Sequence, residues 1–152
     1  MPAEAPPCIL VVDDDRLVLD SLGSPLRQCG FRVRVAASGE AALETCRQHG
    51  QEIRVVLLDV RMPGMDGPQT LAALRQLNPA IRCCFMTGYI EGYSREELLA
   101  FRADDFFLKP VSIAEVTQIL RGLLGESSLR GDETASASPA ASRDTGSGPG
   151  RP

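Results

Sequence analysis

The chain has 152 residues, 43% of them apolar, with 20 acidic against 16 basic side chains and a net charge of −4. That length and apolar content suit one domain with its own core, which needs neither disulfides nor a structural metal to fold. No run reaches the roughly 20 apolar residues that span a bilayer, no basic cluster marks a nucleic-acid or anionic-membrane surface, and one histidine, His49, is too few for a zinc centre.

The start, Met1 to Pro7, carries an acid and three prolines instead of the basic and apolar stretches of a secretory leader, so a cytoplasmic location is expected. Cys8, Cys29, Cys46, Cys83 and Cys84 are odd in number and show no C-x-x-C spacing. They read as small buried hydrophobes in a reducing compartment.

The elements follow in order. Cys8–Val12 reads as a strand, followed by helical spacing through Leu17, Val18, Leu22 and Leu26, with Pro25 expected to bend the last turns. Phe31–Ala36 is a second strand, and Ala41, Ala42 and Leu43 mark a helix that stops at His49-Gly50. Val55–Leu58 is a third strand; Leu71, Leu74 and Leu77 mark the next helix, with Pro68 suited to its first position. Ile81–Met86 is a fourth strand, and the helix of Leu98, Leu99 and Phe101 opens on a capping box, Ser94-Arg95-Glu96-Glu97. Asp105–Leu108 is the fifth strand. The last helix, with Ile113, Val116, Ile119, Leu120 and Leu123, opens on Ser112-Ile113-Ala114-Glu115 and stops at Gly125.

Three of these strands are almost free of polar residues, as strands covered on both faces must be. Five β-α units in succession predict an α/β fold: a parallel sheet with helices on both faces and right-handed crossovers. Residues 1–7 are expected to be a disordered lead, 8–125 the domain, and 126–152, rich in Ala, Ser, Gly and Pro, a disordered tail. No fused output domain is expected within these residues.

In such a sheet, chemistry collects beyond the carboxyl ends of the strands. There the sequence places Asp13-Asp14-Asp15 after the first strand, Asp59 after the third, Thr87 after the fourth and Lys109 after the fifth. Crowded carboxylates repel unless a cation sits among them. Oxygen donors without His or Cys select a hard ion, and Mg2+ is the one that also binds phosphate. A carboxylate nucleophile, a lysine point charge and a threonine hydroxyl complete the parts that phosphoryl transfer needs. Asp15 is expected to cap the first helix rather than to bind metal.

The blocks Ile9-Leu10-Val11-Val12-Asp13-Asp14-Asp15, Val55 to Gly67 with Met62-Pro63-Gly64-Met65-Asp66-Gly67, Met86-Thr87-Gly88, and Ala103 to Pro110 resemble the receiver domains of two-component signalling over roughly Cys8 to Gly125. The resemblance implies a flavodoxin-like sheet ordered 2-1-3-4-5. It implies that Asp59 accepts a phosphoryl group from a phosphohistidine on a sensor kinase or phosphotransfer protein. Asp13, Asp14, Asp59 and the main-chain carbonyl of Arg61 would then bind Mg2+, and Thr87 and Lys109 would contact the phosphoryl oxygens. Lys109-Pro110 would be cis. Phe106 would turn inward with Thr87 and repack the face of the fourth helix, fifth strand and fifth helix that partners read. Arg61 and Tyr89 would flank the phosphate, their bulk slowing attack by water.

The chain would on this reading be a regulatory phospho-acceptor rather than an enzyme, with its downstream protein unnamed and phosphorylation-dependent pairing of two copies left open. Two alternatives stand beside it. One is an interaction module on the same fold that works without phosphorylation. The other is a haloacid-dehalogenase-like phosphatase, with Asp13 as nucleophile and Asp15 as general acid.

Overall fold

The computed structural model describes residues 6–88 and 93–125. Most of the expected N-terminal lead, Tyr89 and the expected tail at 126–152 lie outside the described residues. The chain divides into two compact units, Met1–Thr117 and Gln118–Pro152.

The elements are β1 (Cys8–Val12), α1 (Arg16–Gln28), β2 (Arg32–Ala36), α2 (Gly39–His49), β3 (Ile53–Asp59), α3 (Gly67–Leu77), β4 (Arg82–Thr87), α4 (Arg95–Ala100), β5 (Asp105–Leu108) and α5 (Ile113–Leu123). The five strands form one parallel sheet in the order β2-β1-β3-β4-β5, as the resemblance implied. β1 is buried along its whole length. Alternate side chains leave opposite faces of a strand, so both faces of β1 are covered. On one face Cys8, Leu10 and Val12 share a cluster with Ala42 and Cys46 of α2, Leu71 and Leu74 of α3, and Leu98 of α4. α1 lies along β1 and β2 and buries Leu19, Leu22 and Leu26.

β3 is longer than its apolar run suggests. Exposed Arg54 interrupts the pattern while Ile53 is buried before it, and the strand carries on through Asp59, which pairs with Met86. α1 continues through Pro25 as far as Gln28, in keeping with the apolar spacing that runs on to Leu26. The Cys29 amide reaches back to the Pro25 and Leu26 carbonyls, so the orphaned bond lies only one turn from the helix end. Ser94 forms the full capping box. Ser112 provides only its forward half: its hydroxyl accepts the Glu115 N–H at 3.3 Å. The first turn of α5 brings buried Val116 and Thr117 into the first unit. In the second unit α5 runs to Leu123, and left-handed Gly125 closes it with a bond from its N–H to the Gly122 carbonyl.

One glycine positions the region that follows β3. A Cβ on Gly67 would lie 2.6 Å from the Asp59 carbonyl oxygen and 2.9 Å from Val60 Cα. Only glycine lets the start of α3 press against the end of β3, where its N–H donates to the Val60 carbonyl at 2.8 Å.

Candidate functional site

The sheet's ladders deliver the polar residues to one edge. Asp13 follows directly on β1, its N–H bonded to the Ala36 carbonyl at the end of β2. Asp59 is the last residue of β3, and the next N–H, that of Val60, bonds to the Met86 carbonyl of β4. Lys109 follows β5, with its N–H donated to the Thr87 carbonyl at the end of β4. Asp13 is fully buried, and Asp59 is 5% and Thr87 2% exposed.

These placements bring Asp13, Asp14 and Asp59 together, with one carboxylate oxygen of each within 4.8 Å of the others. Lys109 Nζ spans the two buried acids, 2.6 Å from Asp13 Oδ2 and 3.3 Å from Asp59 Oδ1. The other Asp13 oxygen accepts the Asp15 N–H. Asp15 itself caps α1 by accepting the Leu17 N–H at 2.9 Å, as expected, and takes no part in the cluster. Asp14 is exposed and opens the cluster to solvent.

The electrostatics are unbalanced. Burial, and then the charge of Asp13, raise the Asp59 carboxyl from its ordinary 3.8 to about 6, although Lys109 and the Arg61 backbone N–H both favour its ionised form. Burial disfavours the Lys109 ammonium, but its bond to Asp13 and the attraction of both acids prevail and raise its pKa. One ammonium thus serves both buried carboxylates of a three-acid cluster. An all-oxygen donor set of this kind fits a hard divalent cation.

Thr87 joins the site through its backbone and its position one residue beyond Met86, the Cα partner of Asp59. Phe106 is paired with Phe85 across β4 and β5 and partly buried against the core. The Arg95 guanidinium lies 4.7 Å from the centre of its ring. The Lys109–Pro110 peptide is cis.

A cavity of about 690 Å3 adjoins the acids and is lined by Arg61, Met62, Gly64, Asp66 and Tyr93, among others. Its wall contains two residues to which the sequence reading gave no role. Asp66 forms a full capping box with Gln69 at the start of α3, and its second oxygen accepts the Tyr93 hydroxyl at 2.8 Å. That bond, burial and the surrounding acids raise the Tyr93 pKa. The Asp66-x-x-Gln69 spacing is a legible cap signal. The Tyr93 contact, 27 residues away in the chain, carries no local signature.

The family model of the response regulator receiver domain matches residues 9–121. The chain belongs to this family. Among curated relatives, the transcriptional regulatory protein PrrA of Mycobacterium tuberculosis is 33% identical over 136 residues, which is 88% of this chain and 58% of that regulator. The chain therefore spans little more than half the length of this relative. A CheY-like receiver domain protein from Methanospirillum hungatei superposes with a TM-score of 0.71 at 29% identity, covering 83% of this chain and 99% of that one. CheY in the CheX–CheY–BeF3–Mg2+ complex from Borrelia burgdorferi superposes with a TM-score of 0.72 at 28% identity, over 78% and 90% of the two chains. As a receiver domain the chain is a regulatory domain of two-component signalling. Among the described residues no helix is long and apolar enough to cross a membrane.

Proposed function

We propose that this receiver domain is a phosphorylation-dependent switch in which Asp59 accepts a phosphoryl group from a phosphohistidine on a sensor kinase or phosphotransfer protein. The observation that carries the reading is the cluster itself: three carboxylates within 4.8 Å, two of them buried, under a single lysine. Such a site is short of positive charge, and a divalent cation together with a phosphoryl acceptor role accounts for that shortage.

Asp13, Asp14, Asp59 and the Arg61 carbonyl would hold Mg2+, which when bound neutralises charge on the transferring oxygens. Asp59 supplies the attacking carboxylate oxygen. With a pKa of about 6, most of it is ionised at neutral pH, and the ionised form is the nucleophile. Lys109, held by Asp13 and Asp59, supplies a positive charge for the phosphoryl oxygens, and the buried Thr87 hydroxyl supplies a further hydrogen bond. The domain thus promotes only its own phosphorylation and dephosphorylation.

Arg61, exposed on the adjoining cavity, slows attack by water on the phosphorylated acceptor; Tyr89, given the same role by the sequence, lies outside the described residues. When Thr87 is drawn to the phosphate, Phe106 turns inward and repacks the face of α4 and β5, extending onto the first turn of α5, that a downstream protein or a second copy reads. Residues 8–125 form the functional domain. Five free cysteines, two of them adjacent and deeply buried with thiol pKa values raised by burial, to about 12 for Cys84, support a reducing, cytoplasmic setting.

The phosphatase alternative is weakened because Asp15, its general acid, is engaged in capping α1. Intact-protein mass after incubation with acetyl phosphate tests the reading. A gain of one phosphoryl group that needs Mg2+ and disappears in Asp59→Asn is expected. Equal phosphorylation of the variant and the wild type contradicts it.

A further inference from the structure

Away from the acids, a groove of about 650 Å3 runs along α3 to the amino ends of β4 and β5 and the end of α4. Leu71 and Ile81 form an apolar floor, and Phe101, 40% exposed, provides an apolar flank. Around this surface stand Arg75, Arg82, Arg102 and Asp104. Three guanidinium groups against one carboxylate make the groove cationic on a chain whose net charge is −4.

The contacts divide these charges into structural ones and a spare one. Arg75 donates to the Phe101 carbonyl at 3.1 Å and to the Ile81 carbonyl at 3.3 Å, which fixes the end of α4 against the start of β4. Both Asp104 oxygens are engaged, one by Arg82 at 3.0 Å and the other by the Cys83 N–H at 2.9 Å. Arg102 differs. Among the described residues its guanidinium makes no hydrogen bond or ion pair.

The backbone at Arg102 is the second observation. It follows the C-cap Phe101 with φ 68°, the only described non-glycine residue with positive φ. Glycine is the residue that ends a helix there at least cost, and a Cβ at such a position costs about 1 kcal/mol. What the position gains in return is the side chain, a charged group lining the same groove as half-exposed Phe101.

We propose that this groove docks a partner-protein segment in which an aspartate or glutamate pairs with Arg102 while an adjacent large apolar side chain packs on Phe101. Charge complementarity selects the acid, with Arg82 strengthening the field. The groove lies open to solvent, whereas a small-molecule site buries most of its ligand. A peptide segment fits because it brings the rest of its own chain as cover.

The test pans a random dodecapeptide phage library on the full chain and measures the selected peptides by fluorescence polarisation against wild type, Arg102→Gly and Phe101→Ala. Arg102→Gly relaxes the helix end, so its melting temperature should equal or exceed that of the wild type. Acidic peptides with a neighbouring Phe or Leu are expected, bound about tenfold more weakly by Arg102→Gly, the loss of one charge-assisted bond, and more weakly by Phe101→Ala. The proposal is overturned if no peptides are selected, if they lack acids, or if they bind Arg102→Gly unchanged. A lowered melting temperature in Arg102→Gly also overturns it, since the side chain would then be structural. So does displacement of the peptides by free succinate at concentrations that match the peptides' own affinity, which would assign the groove to small acids.

Discussion

Two groups of charged residues at opposite ends of the strands show how charge is used for different ends. At the carboxyl ends, Asp13 and Asp59 are buried within reach of each other and of Asp14, and Lys109 pairs with both. At the amino ends, Asp104 is met by Arg82, by the more distant Arg75 at 3.9 Å and by a backbone N–H. The first cluster leaves negative charge uncompensated, and the second satisfies its acid and leaves a guanidinium over. A saturated acid stabilises the fold. An unsaturated one is a site waiting for a cation or an electrophile, as perturbed, crowded carboxyls commonly are.

The two ends should therefore respond to mutation with opposite signs. Asp104→Ala leaves the buried Cys83 N–H without its acceptor and Arg75 without its counter-charge. Chemical denaturation should show a loss of about 3 kcal/mol, and an unchanged midpoint would mean that Asp104 is not structural.

Asp59→Asn should stabilise the metal-free protein instead. The folded pKa of about 6 lies above the ordinary 3.8, so the folded chain holds a proton that the unfolded chain has released. Stability due to this group is present below about pH 4 and is lost as pH rises toward and through 6. In EDTA the variant should exceed wild type by about 3 kcal/mol at pH 8 and show no advantage at pH 3.5. A gain independent of pH would separate the effect from Asp59 ionisation.

A smaller effect belongs to the ion. At free Mg2+ ten times its Kd, wild type should gain about 1.4 kcal/mol of stability, and Asp13→Asn should gain none at the same concentration. Equal gains in thermal melts would place the ion elsewhere. The smallest change is expected for Tyr93→Phe, which removes only the bond to Asp66. It should cost about 1 kcal/mol while leaving the α3 cap intact, since Asp66 still accepts the Gln69 N–H.

These regions were unequally legible in the sequence. Continuous apolar runs such as Cys8–Val12 mark a strand covered on both faces, and alternation with helical spacing marks a parallel sheet. A parallel sheet in turn assigns Asp13, Asp59, Thr87 and Lys109 to one edge. Strand order came only from the resemblance, because periodicity says nothing about which strands are neighbours. Limits were blurred where a charge interrupts a run, as Arg54 does in β3, whereas the continuation of α1 past Pro25 was legible in the apolar spacing that reaches Leu26. Contacts between distant segments had no signature: Tyr93 on Asp66, Arg75 on the Phe101 carbonyl, and the left-handed backbone of Arg102, where the usual glycine signal is missing.

The most direct test of the crowded-acid account is to locate the phosphoryl group. The chain is phosphorylated with acetyl phosphate in Mg2+, reduced with sodium borohydride, which converts an aspartyl phosphate to homoserine, and mapped by tandem mass spectrometry. The account predicts homoserine at position 59 alone. Homoserine at position 13 would contradict it and restore the phosphatase reading, and its absence from all three acids of a chain shown to carry phosphate would move the acceptor away from the cluster.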